Sequence, residues 1–152
     1  MTENGLNKNV KLYNVLFPFW MLILFPQMWL IILPVNFIID SIVLLVSMMI
    51  LKIQDKKQNY KKYILKIFIF GMLSDIIGSA FLFVMLVTEV SSMGDELYIT
   101  IPAIIISAVM IYIFNYYITF KKSDGIFRRK MALIFAIVTA PYTFLIPTTW
   151  LY

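Results

Sequence analysis

Two carboxylates stand inside long apolar runs. Asp40 ends the stretch LFPFWMLILFPQMWLIILPVNFIID, and Asp75 lies in the middle of YILKIFIFGMLSDIIGSAFLFVMLV. No Lys or Arg occurs from 12 to 51, from 67 to 120, or from 131 to 152, so neither acid has a basic partner in its own run unless Lys66 reaches inward. A carboxylate in a low-dielectric medium without a counter-charge either binds a proton or holds a cation. Either state implies exchange of a proton or an ion with water, and acids within a membrane are functional candidates by default.

Helical spacing gathers polar company around each acid. Asn36, Asp40 and Ser47 share one face, and Gly71, Ser74, Asp75, Gly78 and Ser79 share another. Further on, Ser107 and Asn115 share a face with Tyr112 and Tyr116 beside it. The expected ion or proton site is therefore Asp40 and Asp75, with Asn36, Ser74 and Asn115 as polar neighbours. Gly71, Gly78 and Ser79 are expected to serve close helix packing of the small-x-x-x-small kind. The two tyrosines are read as packing and interface residues.

The elements that position these groups follow from composition. The chain has 152 residues, 62% of them hydrophobic and 14% charged, and a mean hydropathy of +0.90. Those values indicate an integral membrane protein. Cys and His are absent, which removes thiol nucleophiles, disulfides, Cys/His zinc sites and imidazole proton shuttles. No phosphate-binding glycine loop, acidic Ca²⁺ loop or HExxH occurs, so no cofactor and no metal centre is expected. The isoelectric point near 9.4 reflects basic residues flanking membrane spans, and nucleic acid is not an expected partner.

KIQDKKQNYKK (52–62) and KKSDGIFRRK (121–130) are basic, whereas TEVSSMGDEL (88–97) carries three acids and no base. The positive-inside rule puts the first two in the cytoplasm and the third outside. Glu89, Asp95 and Glu96 in the outer segment read as solvated charges that could draw cations to a pore mouth. Spans are expected over about 14–33, 36–51, 63–87, 98–120 and 131–151, forming one all-α polytopic membrane domain over 1–152. The first two would form a hairpin: Asn14 caps a helix whose first turn holds Pro18, Pro26 kinks it, and Pro34 with Asn36 makes the turn. Asp40 would then lie about 7 Å below the outer end of its helix and Asp75 about 18 Å below its own, as two stations along one path. An alternative breaks the run at Pro26 and Gln27, leaving 12–24 interfacial or re-entrant and 28–51 as a single span. In the last run Thr139, Pro141 and Thr143 mark an expected kink, and Trp150 and Tyr152 an outer aromatic belt. The expected location is a cell membrane of bacterial type, with the N-terminus cytoplasmic and the C-terminus outside.

Three functional classes are open. The first is a proton- or cation-linked channel, transporter or transporter subunit that uses the two carboxylates and the kinks at Pro26 and Pro141. Five short helices make a narrow monomer, so a homo-oligomer or another membrane protein is the expected partner within the lipid bilayer. The second is a non-catalytic accessory, immunity or regulatory protein. Asp75→Asn would leave such a protein working while Gly78→Leu would destroy it, whereas transport would suffer from both. The third is an intramembrane aspartyl hydrolase activating water with paired acids. VNFIIDS and GMLSD resemble the two aspartate motifs of type II signal peptidases, in which an Asn precedes each catalytic Asp. Asn36 stands one position too far from Asp40, no Asn precedes Asp75, and the motifs come in the opposite order.

Overall fold

The computed structural model describes residues 26–88 and 97–142. Among them there is no strand: the order is α1 (Pro26–Ile50), α2 (Lys56–Val87), α3 (Leu97–Phe114), a π-helical segment (Asn115–Thr119) and α4 (Gly125–Val138). Among the described residues three helices are long and apolar enough to cross a membrane: α1 over Leu30–Ile50, α2 over Lys56–Met85, and α3 with its π extension over Ile99–Thr119.

The first correction concerns the proline-punctuated hairpin. Pro34 lies inside α1, which runs unbroken from Pro26 to Ile50, so Pro34 and Asn36 are helical and make no turn. Proline removes one backbone donor, but an open turn in an apolar medium would strand several more N–H and C=O groups. Losing one bond is the smaller penalty, and the helix continues. The single-span alternative over 28–51 agrees with this helix. The kink expected at Pro26 falls on the first described residue, and the remainder of span 14–33 lies outside the described residues.

α1 ends in a Schellman motif. The Ile53 N–H donates to the Met48 carbonyl at 3.0 Å and the Lys52 N–H to the Met49 carbonyl at 3.2 Å. Lys52 takes the left-handed conformation this requires, at φ 50°. The turn to α2 is thereby short, and most of the basic cluster expected as a loop over 52–62 is helical instead. Lys56, Lys57, Lys61 and Lys62 occupy the first turns of α2. At 32 residues α2 measures about 48 Å, longer than a hydrocarbon core of about 30 Å, which leaves room for those turns beyond it.

α2 is central, with α1 on one side and α3 on the other; α4 packs on α3 and the π segment and also touches α1. The main core lies at the end bearing the basic clusters. There Leu44 and Met48 of α1, Tyr63, Ile64 and Ile67 of α2, Ile111 of α3, Phe120, and Met131 and Phe135 of α4 come together. The Phe120 ring is fully buried, with centroids 5.0 Å from Tyr63, 5.7 Å from Phe127 and 6.4 Å from Phe135. The Tyr63 and Ser123 hydroxyls are hydrogen-bonded at 2.8 Å. These contacts bring the two basic clusters, far apart in sequence, to one end of the bundle. At the other end a smaller cluster of Leu82, Ile99 and Ala103 joins α2 to α3.

α4 begins where the Asp124 carboxylate accepts from the Ile126 N–H at 3.2 Å, a helix N-cap. It stops at Val138, with Thr139 as C-cap. Pro141, expected to kink a span over 131–151, instead follows a helix end, because proline cannot donate to the Ile137 carbonyl and disfavours helix in the residue before it. The Tyr142 hydroxyl donates to that carbonyl in its place. Thr143, Trp150 and Tyr152 lie outside the described residues, as do Asn14, Pro18, Glu89, Asp95 and Glu96.

Candidate functional site

Because α1 is continuous, Asp40 sits at the middle of its apolar stretch Leu30–Ile50, about 15 Å from either end at 1.5 Å per residue. This corrects the shallow position that a turn at Pro34 would impose. Asp40 is 7% exposed and leans on α2 where that helix has no side chain. Its Oδ2 is 3.7 Å from the point a Cβ at Gly71 would occupy. Gly71, expected as a packing residue, is thus the place where a carboxylate from α1 lies against the α2 backbone.

Asp75 is one turn beyond Gly71 on α2, next along that helix from the point where Asp40 rests. Its Oδ1 accepts a hydrogen bond from the Ser107 hydroxyl of α3 at 3.0 Å, and Ser107 is fully buried. Three helices therefore bring five oxygen atoms into one mid-span cluster: two carboxylates and a hydroxyl. The expectation of two stations at different depths gives way to one group. Lys66 is exposed, and among the described residues neither carboxylate has a basic partner.

The other expected neighbours take different places. Ser74 is buried, but its hydroxyl donates to the Phe70 carbonyl of its own helix at 2.7 Å. Asn36 lies one turn before Asp40 on α1 and is half-buried. Asn115 is fully buried in the π segment, about 12 Å along the axis from Ser107. Neither its amide nitrogen nor its amide oxygen has a hydrogen-bond partner among the described residues, so it does not hydrogen-bond Asp75. Gly78 and Ser79 are buried on α2. The sequence presents Ser107 only as a face-mate of Asn115. Its signal is the one serine of PAIIISAVMIYIF, at mid-span and at the depth of Asp75 in the neighbouring run.

Two neighbouring carboxylates repel when both are charged, and one proton or one cation shared between them relieves the repulsion. The cluster offers acceptor oxygens that a proton or a cation can share. No family model matches the chain, and no curated protein or solved structure is significantly similar to it.

Proposed function

We propose that this chain is a multi-pass membrane protein that binds a proton or a small monovalent cation at Asp40 and Asp75 as a step in its transport. The observation that carries the reading is that Asp40 of α1 lies against Gly71 of α2, one turn from Asp75, which accepts a hydrogen bond from Ser107 of α3, at mid-span and with no basic partner among the described residues. A role confined to packing would not call for two adjacent carboxylates, each costing about 3 kcal/mol to insert at a helix centre. In this reading the end bearing Lys52, Lys56, Lys121 and Arg129 faces the cytoplasm of a bacterial-type cell, following the positive-inside rule. A second copy or another membrane protein belongs to the proposal as well, since the three candidate spans among the described residues enclose little space for a pathway.

The test is proton and alkali-cation flux in proteoliposomes, comparing the unsubstituted chain with Asp40→Asn and Asp75→Asn at equal amounts of inserted protein. Both substitutions keep size and polarity, so the helices should still assemble while flux falls at least tenfold. Flux unchanged in both variants removes the carboxylates from the pathway. No flux from any sample, with correct insertion shown by protease protection, leaves the accessory role as the better account.

A further inference from the structure

α3 and its π extension carry one buried stripe, in which Ser107, Ile111, Asn115 and Thr119 follow at four-residue intervals and are 0%, 1%, 0% and 3% exposed. Ser107 touches the carboxylate cluster, and Thr119 lies at the basic end beside Phe120. Between them the stripe holds three polar side-chain atoms without partners among the described residues: Nδ2 and Oδ1 of Asn115 and Oγ1 of Thr119. On α4, which packs on the π segment, the Nε of Arg128 is also buried and unpartnered, while its Nη2 donates to the Tyr116 hydroxyl at 2.8 Å.

An amide buried with both its donor and its acceptor unmet is among the least favourable arrangements a protein interior holds, and the usual remedy is water. The local backbone supports that remedy. In the π turn the Phe120 N–H reaches back five residues to the Asn115 carbonyl at 2.9 Å, and such widened turns recur at functional sites. The guanidinium of Arg128, stacked 4.1 Å over the Tyr116 ring, places a positive charge beside the segment and disfavours a resident metal ion. Water meets donor and acceptor alike.

We propose that Asn115 and Thr119 form a water-binding station that connects the basic end of the bundle toward the Asp40–Asp75 pair, with Ile111 as the apolar barrier between them. It gives the proposed transport site an access route from one side, and in that purpose it rests on the reading above. Its existence is tested without flux.

The chain contains no Cys, so single-cysteine variants report accessibility against a clean background. Thr119→Cys, Ile111→Cys and Ala103→Cys, in liposomes, are exposed to a membrane-impermeant cationic methanethiosulfonate. Thr119→Cys should react at least tenfold faster than the other two, and only with reagent on the basic side. Reaction of Thr119→Cys no faster than Ala103→Cys, which lies in the far cluster, overturns the station. The unsubstituted chain supplies a second reading that no folding defect can confuse: in water-edited solid-state NMR the Asn115 side-chain amide should receive magnetisation from water at short mixing times, and a dry Asn115 overturns the proposal. A reactive Thr119→Cys together with flux indifferent to Asp75→Asn would sink the transport site alone. An unreactive Thr119→Cys with Asp-dependent flux would sink the station alone.

Discussion

Gly71 is the position at which the depth and pairing of Asp40 can be tested by stability. A methyl group there would meet Asp40 Oδ2 at 3.7 Å, an ordinary van der Waals distance. Gly71→Ala therefore fits without displacement and removes a flexible residue from a helix interior, a gain of up to about 1 kcal/mol. Gly71→Leu adds three more carbons where the carboxylate lies. Overpacking of that kind costs about 1–3 kcal/mol, and pushing Asp40 toward lipid adds a share of the roughly 3 kcal/mol that an acid costs at a helix centre. The two variants should thus fall on opposite sides of the unsubstituted chain in a denaturant titration in mild detergent followed by far-UV circular dichroism. The proteoliposome assay should find flux kept in the alanine variant and lost in the leucine variant. A Gly71→Leu protein as stable as its parent would refute the reasoning, because α1 could not then be resting on α2 at this point. A loss above about 2 kcal/mol in Gly71→Ala would refute it from the other side.

Three further outcomes follow from the fold. Pro34 is interior to α1, so Pro34→Ala should restore a helical donor and raise stability by up to about 3 kcal/mol; an unfolding midpoint that falls instead would mean the residue serves a turn. Phe120 is fully buried against Tyr63, Phe127 and Phe135, and Phe120→Ala should cost about 3–5 kcal/mol in the same titration. Ile126→Ala, at a residue 69% exposed, should stay within about 0.5 kcal/mol of the parent.

Much of the candidate site was legible as residue types. Asp40 and Asp75 stood out because a charge in an apolar run is conspicuous whatever the fold, and Gly71 because small residues mark close approach. Their meeting was not legible, since it depends on how one proline is resolved. Pro34 carries the same local signal in a turn as in a membrane helix, and choosing the turn moved Asp40 from the middle of its span to near one end. The role of Ser107 is hidden in the sequence for a related reason. A hydroxyl in an apolar helix usually bonds back to its own backbone, as Ser74 does to Phe70, and only a neighbouring helix can present it with a carboxylate instead.

The sequence by itself determined the class of molecule: an all-helical chain with spans long enough to cross a bilayer, charges gathered into two basic clusters, and acids without local partners. Those properties follow from composition and from the 3.6-residue period, which act over one helix at a time. Tertiary structure alone decided the rest. It ran α1 through Pro34, brought the basic clusters to one end through Tyr63, Phe120 and Ser123, set Asp40 against Gly71, and left Asn115 buried with its amide unpaired among the described residues. Each of these depends on which helix faces which and at what height. In an apolar medium that choice is made by packing and by the pairing of polar groups across helices, neither of which a single span contains.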